Sequence, residues 1–174
     1  MKETDLIKMK LLRWLTDRQS SYVITNYFLS NWECDIMTLS KNNFTTEYEI
    51  KTSRADYKKD FEKCCRTHGI VNQKWGVIKT DNKHEIISNG HRTNKFFFVT
   101  PIGLLKKEEI PLHAGLIEIG KTYYDIKIIK NPKWLHHNKV SDKIFKDLID
   151  KFYNRYMFDY YRPKLYAGLK HANS

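Results

Sequence analysis

Three residues in the first third of the chain have the types and spacing of a hydrolytic metal site: Asp35, Glu49 and Lys51. Glu49 and Lys51 are two residues apart, so on a β-strand their side chains share one face. Two carboxylates held a few ångströms apart repel each other unless a divalent cation lies between them, and Mg²⁺ prefers such oxygen ligands. A neighbouring lysine stabilises the charge that develops on an attacked phosphate. The set is therefore suited to metal-assisted hydrolysis of a phosphodiester.

The same spacing has a simpler interpretation, because a glutamate and a lysine two residues apart on a strand often form a solvated ion pair. Such a pair contributes little to stability and needs no metal. The catalytic interpretation requires that Asp35 lie on a neighbouring strand, at the same end of the sheet as Glu49.

The sequence around these residues predicts that arrangement. Residues 4–16 carry apolar side chains at helical spacing and predict a helix. Stretches rich in β-branched and aromatic residues predict three strands, at 21–29, 32–39 and 44–51. Asn42-Asn43 predicts a turn between the second and third of them. If these two strands pair through the turn, both carboxylates and the lysine converge at one end of the sheet.

The remainder of the chain predicts an α/β fold in a single domain, residues 1–174. Ser53 is placed to cap a helix running through 56–66. Residues 67–94 are polar and glycine-containing, and we expect an irregular insertion there with a short helix near 83–87. Further strands are expected at 95–100, 114–119 and 124–129, and a closing helix at 141–160. The predicted architecture is a mixed central sheet flanked by helices.

Charge indicates the class of partner. Among 174 residues, 31 Lys and Arg stand against 20 Asp and Glu, a formal net charge of +11. The excess is divided almost evenly, +5 in residues 1–100 and +6 in 101–174. A folded chain with this charge attracts polyanions, so nucleic acid is the first candidate partner and acidic small molecules the second.

Composition also bounds the cellular setting. No apolar run approaches the ~20 residues of a membrane-spanning helix, and acids stand near the N-terminus where a signal peptide would be apolar. The three cysteines, Cys34, Cys64 and Cys65, lack C-x-x-C spacing, so we expect reduced thiols rather than disulfides. These features predict a cytoplasmic protein without a membrane partner.

A longer run of sequence resembles a known family. CDIMTLSKNNFTTEYEIKTSRADYKKDF, residues 34–61, is similar to the core of the PD-(D/E)XK nuclease superfamily. More narrowly, EIKTSRADYKKD resembles the MmcB-like DNA-repair proteins and their phage-encoded relatives. The similarity extends over roughly residues 30–160. It implies a restriction-endonuclease-like fold and a nuclease acting on DNA, in repair or in phage DNA metabolism, in the host cytoplasm if the protein is phage-encoded.

The resemblance also implies roles for single residues. Asp35 and Glu49 match the metal-binding acids, the carbonyl of Ile50 matches a further metal ligand, and Lys51 matches the catalytic lysine. The cofactor implied is Mg²⁺, with Mn²⁺ as an alternative. Residues on and before the following helix are expected to contact DNA or to brace the site: Ser53, Arg54, Asp56, Lys58 and Lys63.

The sequence departs from the family pattern in three respects. The insertion at 67–94 is longer than in the compact bacterial members. Cys34 stands where the superfamily's proline precedes the first acid. A further acid on the first helix often joins such sites, and Glu3 and Asp5 are the candidates here.

Two other functions stay open on sequence alone. One is a DNA-binding module that keeps the nuclease fold without catalysis, and the other is a structural or host-interaction protein of a phage. The substrate strand, the mode of cleavage, the choice between DNA and RNA and the oligomeric state, including a homodimer, are not decided by the sequence.

Overall fold

The computed structural model describes residues 2–18, 21–28, 32–71 and 74–161. The chain divides into two compact units, Met1–Lys139 and Val140–Ser174. The larger unit contains every residue of the candidate site.

The larger unit has three helices and eight strands among its described residues. The helices are α1 (Glu3–Asp17), α2 (Arg54–Asp60) and α3 (Lys83–Ser88), and a 3₁₀ turn spans Lys107–Glu109. The strands are β1 (Ser21–Phe28), β2 (Glu33–Ser40), β3 (Thr45–Ile50), β4 (Cys64–Val71), β5 (Lys74–Asn82), β6 (Lys95–Pro101), β7 (Ala114–Ile119) and β8 (Ile126–Lys130).

Six of the strands form one mixed sheet, in the order β1-β2-β3-β6-β7-β8. β3 pairs with β6 and β6 with β7 in parallel, while the remaining neighbours are antiparallel. β6 carries KFFFVTP and is buried along almost its whole length, as a central parallel strand must be. The predicted fold class, α/β with a mixed central sheet flanked by helices, is confirmed.

Helices cover both faces of the sheet. On one face, Ile7, Leu11 and Leu15 of α1 recur at helical spacing and pack against apolar residues of β2 and β3, among them Ile36 and Tyr48. On the other face, Tyr57 of α2 and Ile87 of α3 pack against Phe96 and Phe98 of β6. Because side chains alternate along a strand, Glu47, Glu49 and Lys51 share this second face, under α2 and α3.

Two sequence predictions between the third strand and β6 were wrong. The helix expected through 56–66 ends at Asp60, and 64–82 forms β4 and β5, a separate two-stranded antiparallel ribbon. The stretch expected to be irregular, 67–94, therefore holds most of this ribbon, followed by the short helix α3, which was expected. β-branched and aromatic residues at Thr67, Ile70, Val71 and Trp75 give the ribbon its strand propensity despite its glycines.

The smaller unit has helix α4 (Asp142–Tyr156), capped by the Ser141 hydroxyl, which accepts from the Ile144 N–H. A π-helical turn, Met157–Tyr161, continues it. None of the helices in the described part of the chain combines the length and the apolar composition needed to cross a bilayer.

Candidate active site

Asp35 and Glu49 meet across the β2–β3 pair. The paired register of the two strands ends at Ile36 and Tyr48, the residues next to Asp35 and Glu49 along the chain. The two carboxylates are close enough for the charge of Glu49 to raise the pKa of Asp35. The backbone N–H of Ile50 donates to Asp35 Oδ2 at 2.9 Å, which fixes the aspartate at the end of β3. The predicted convergence of the two acids is therefore present.

Lys51 lies beside Glu49 and is held by a second carboxylate. Its Nζ donates to Glu49 Oε1 at 3.0 Å and to Asp60 Oδ1 at 2.9 Å. Lys51 is 2% exposed and Glu49 is 4% exposed, so the pair is not the solvated surface pair of the simpler interpretation.

Asp60, at the end of α2, is the centre of the cluster. Its carboxylate is completely buried and accepts from the ammonium groups of three lysines and from one histidine. Lys63 Nζ lies 2.7 Å from Oδ1, and Lys83 Nζ lies 2.9 Å from Oδ2. Lys63 also reaches Glu49 Oε1 at 3.1 Å. Burying this many charges is tolerable only because each has an opposite partner.

A pair of histidines extends the cluster from Asp60. His84 Nε2 lies 2.9 Å from Asp60 Oδ2, and His84 Nδ1 lies 3.0 Å from His113 Nε2. Since the Asp60 carboxylate is an acceptor, the His84 proton facing it is on Nε2. The Phe61 ring stacks on His84 with centroids 4.2 Å apart, which fixes the orientation of the imidazole.

One pleat back along β3, Glu47 forms a second buried ion pair. Arg92 Nε donates to Glu47 Oε2 at 2.7 Å, and the Trp32 indole N–H donates to Oε1 at 3.2 Å. The Arg92 guanidinium lies over the Trp32 ring, 3.7 Å from its centroid. Both carboxylate oxygens of Glu47 therefore accept hydrogen bonds within the protein, whereas Glu49 Oε2 accepts none from the described residues.

The electrostatic environment separates the roles of these groups. Burial raises the pKa of Asp35, and the charge of Glu49 raises it further, despite the Ile50 N–H and the charge of Lys8. Burial disfavours the charged form of Lys51, but Glu49 and Asp60 outweigh it and raise its pKa. For Asp60, the hydrogen bond from His84 and the charges of Lys83 and Lys51 outweigh burial and hold its pKa well below its usual range. Lys51 is therefore a cation and Asp60 an anion at neutral pH.

The other residues named from the resemblance divide into two groups. Asp56 Oδ1 lies 3.8 Å from Lys51 Nζ, and Lys63 bonds Glu49 and Asp60, so both adjoin the cluster. Ser53 caps α2 by accepting from the Asp56 N–H. Lys58 is exposed on α2.

Arg54 pairs with an acid, and the first helix brings a lysine to Asp35. Arg54 forms a two-pronged ion pair with Glu109, its Nη2 3.0 Å from Oε2, and this pair is solvent-exposed. From α1, Lys8 reaches Asp35, 3.5 Å from Oδ1, and a second bond from Lys8 goes to Asn26. The cation Lys8, rather than Glu3 or Asp5, is thus the α1 residue in contact with the candidate metal-binding acid.

Sequence reasoning missed four residues of the cluster: Glu47, Asp60, Lys83 and His84. For two of these residues the local sequence gave a signal that could have placed them in the cluster. Glu47 precedes Glu49 by two residues and must share its face, and Asp60 follows the buried Tyr57 by three residues on α2. Lys83 and His84 open α3, about 23 residues after Asp60 along the chain, and no local pattern links them to it.

The donor set near Asp35 fits one divalent cation. Glu49 Oε2 is buried and finds no hydrogen-bond donor among the described residues. This oxygen and the Asp35 carboxylate are hard ligands of the kind Mg²⁺ takes, so they fit one cation that keeps several waters. No group of three or more His, Cys, Asp or Glu side chains suited to a metal occurs in the described part of the chain. The remaining carboxylates are interleaved with lysines instead.

Comparison with known proteins yields one structural relative and no sequence family. No family model matches the chain, and neither does any curated protein. Among solved structures, SPO1766, a protein of unknown function from Silicibacter pomeroyi, is similar with a TM-score of 0.59 and 17% sequence identity. The similarity covers 89% of this chain and 86% of that chain. At this identity it shows a shared fold alone.

Proposed function

We propose that the protein is a metal-dependent deoxyribonuclease with a restriction-endonuclease-like core, related to the MmcB-like group. The observation that carries the proposal is the convergence of Asp35, which accepts from the Ile50 N–H, with Glu49 and Lys51 at the end of β3. A chance Glu-x-Lys spacing would not require an aspartate at this place on the neighbouring strand.

The metal would be held by Asp35 and by Glu49 Oε2, with the Ile50 carbonyl as the further ligand implied by the resemblance. Mg²⁺, or Mn²⁺ in its place, would supply charge to the attacked phosphate and acidify a bound water. The environment of Glu49 Oε2 supports this assignment, because among the described residues this buried oxygen accepts no hydrogen bond and has an ion pair only with Lys83, at 3.3 Å.

Lys51 has an electrostatic role in this proposal. Its raised pKa keeps it charged, so it cannot remove a proton from water at neutral pH. A fixed ammonium beside Glu49 stabilises the negative charge that develops on phosphorus-bound oxygens during in-line attack. Asp60 and Asp56 position this ammonium, since they lie 2.9 Å and 3.8 Å from it.

The excess of positive charge supports a polyanionic substrate. Lys63 is half-exposed beside Glu49 and Asp60, and Lys58 is exposed on α2. Both lysines are proposed to contact phosphates. A cytoplasmic location, a single domain and a homodimer remain predictions from the sequence.

The alternative is a DNA-binding module that has kept the fold and lost catalysis. One observation favours it: Lys51, Lys63 and Lys83 already lie within 3.3 Å of carboxylate oxygens of Glu49 or Asp60, and so offset charges that a metal would otherwise balance. In this case DNA would bind in a salt-sensitive manner without cleavage.

The two functions are separated by one set of incubations. Single-stranded, nicked and duplex DNA are each mixed with the protein in Mg²⁺, in Mn²⁺ and in EDTA, beside Lys51→Ala and the control variant Lys41→Ala, which changes an exposed lysine in the turn between β2 and β3. Cleavage that needs metal, falls about 100-fold or more in Lys51→Ala and persists in Lys41→Ala supports the nuclease. Salt-sensitive binding without cleavage in any protein supports the alternative.

A further inference from the structure

Lys83 occupies an unusual position for a lysine. It is 0% exposed, and its Nζ lies 2.9 Å from Asp60 Oδ2, 3.1 Å from Asp60 Oδ1 and 3.3 Å from Glu49 Oε2. The rings of Trp32 and Phe96 flank it with centroids 5.8 Å and 5.7 Å away. A cation enclosed between two buried carboxylates and excluded from water stands where many hydrolytic sites hold a metal ion.

The oxygens of Glu49 and Asp60 are nearly all engaged by side chains. Asp60 Oδ1 accepts from Lys51 and Lys63, while Oδ2 accepts from Lys83 and His84. Glu49 Oε1 accepts from Lys51 and Lys63. Glu49 Oε2, by contrast, has Lys83 nearby at 3.3 Å but no hydrogen bond from the described residues. Glu49 Oε2 is therefore the oxygen of these two carboxylates at which a metal ion would bind.

We propose that Lys83 is a built-in cation that limits the site to a single divalent ion, taking the place of a second metal between Glu49 and Asp60. The proposal rests on the proposed function for the identity of Asp35 and Glu49 as metal ligands. In sites with two metals the ions lie about 3.5–4 Å apart and share carboxylates. An ammonium already in contact with both carboxylates fills that position and repels a further divalent ion.

Charge balance leads to the same conclusion. The ammonium groups of Lys51, Lys63 and Lys83 face three carboxylates, Glu49, Asp56 and Asp60, so the charges of this part of the site balance before any metal binds. A tethered lysine cannot be removed by dilution or by a chelator. The cluster is therefore assembled without metal, and the bound ion is needed for chemistry rather than for folding.

Direct counting of bound Mn²⁺ tests the proposal without any activity measurement. Mn²⁺ binding is followed by electron paramagnetic resonance of the free ion, for the wild type, Lys83→Met and the exposed-lysine control Lys41→Met. The expected stoichiometries are one ion per chain for the wild type and Lys41→Met, and two for Lys83→Met. Lys83→Gln is the second variant, because its amide still donates to Asp60 and preserves folding while the charge is lost. It too is expected to bind two ions.

The possible stoichiometries distinguish failure of the role of Lys83 from failure of the nuclease proposal. Two ions in the wild type, or one ion with unchanged affinity in both Lys83 variants, overturns the role of Lys83 and leaves the nuclease proposal standing. No ion in the wild type but one in the Lys83 variants supports the role of Lys83 and overturns metal binding by Asp35 and Glu49 in the native protein. No ion in any protein overturns both.

Discussion

The ammonium of Lys51 donates to Asp60 Oδ1 at 2.9 Å, although Asp60 lies beyond the end of the strand motif and on a different element. This contact joins the end of β3 to the end of α2. It makes the orientation of Lys51 depend on a carboxylate that is itself held by Lys63, Lys83 and His84. The site is thus a network whose members position one another, rather than three independent side chains.

The first prediction concerns stability. Asp60→Asn removes the buried anion that three lysines share, leaving their charges uncompensated. We expect the free energy of unfolding to fall by about 3 kcal/mol or more, the cost typical of breaking a buried ion pair on one side. Urea denaturation followed by far-ultraviolet circular dichroism measures it. Asp56→Asn is the control: its side chain is 49% exposed and 3.8 Å from Lys51, and a change below about 0.5 kcal/mol is expected. Equal losses in the two variants would contradict the central place of Asp60.

The second prediction concerns the first acid. Asp35→Asn keeps the shape of the side chain and an oxygen that can accept from the Ile50 N–H, but removes the charge that a cation needs. We expect Mn²⁺ affinity to fall at least 10-fold with little change in unfolding midpoint, since burial and Glu49 already disfavour the charged form. Isothermal titration calorimetry measures the affinity. Unchanged Mn²⁺ affinity would remove Asp35 from the metal site.

The third prediction concerns pH. Burial lowers the pKa of His113 to about 4, with the charges of His84 and Lys130 acting in the same direction. As the pH falls, His113 is therefore protonated in the unfolded chain before it is protonated in the folded protein. The stability that neutral His113 contributes is complete above about pH 6.5 and is lost as the pH falls towards 4. We expect His113→Gln to lose less stability than the wild type between pH 7 and pH 4. Thermal unfolding at half-unit pH steps compares them, and parallel curves would show that His113 does not titrate in this way.

The fourth prediction concerns the thiols. Cys34 is buried and its pKa is raised to about 12, first by burial and then by Glu47, whereas Cys64 is exposed and Cys65 is buried. Because the thiolate is the reactive form, we expect a chromogenic disulfide reagent to modify Cys64 rapidly in the native protein, and all three only in denaturant. Fast modification of Cys64→Ser in the native state would contradict the burial of the other two.

The elements that position the motif could be predicted because their signals are local. Period-two alternation in 44–51 and the Asn42-Asn43 turn fix which strands pair, and Asn43 does adopt a positive φ of 64°. Pairing then brings Asp35 to the same end of the sheet as Glu49 with no further information. The end of α2 was harder to predict, because the sequence of Lys58-Lys59-Asp60-Phe61 continues a helical pattern. The strand propensity of 64–71 outweighs that pattern only when this segment pairs with 74–82.

The lysine network could not be predicted, because its partners are separated along the chain. Asp60 and Lys83 are joined through the β4–β5 ribbon, whose ends bring Lys63 and Lys83 together by a backbone hydrogen bond from Lys83 N to Lys63 O at 2.9 Å. Nothing in the local sequence indicates that a lysine opening a short helix is fully buried, since lysine is among the residues least often found inside. The register of the β4–β5 ribbon is what places Lys83 beside Lys63 and Asp60.

The most direct test of the account compares cleavage by the wild type with cleavage by Glu49→Gln and Glu33→Gln, in Mg²⁺ and in EDTA, on end-labelled DNA. Glu33 is exposed at the start of β2, so its substitution controls for a lost carboxylate near the same strand. We predict Mg²⁺-dependent cleavage by the wild type and Glu33→Gln, none in EDTA, and a rate at least about 100-fold lower for Glu49→Gln. Cleavage that survives in EDTA or in Glu49→Gln, or DNA binding with no cleavage by the wild type, would contradict a metal-dependent nuclease built on Asp35, Glu49 and Lys51.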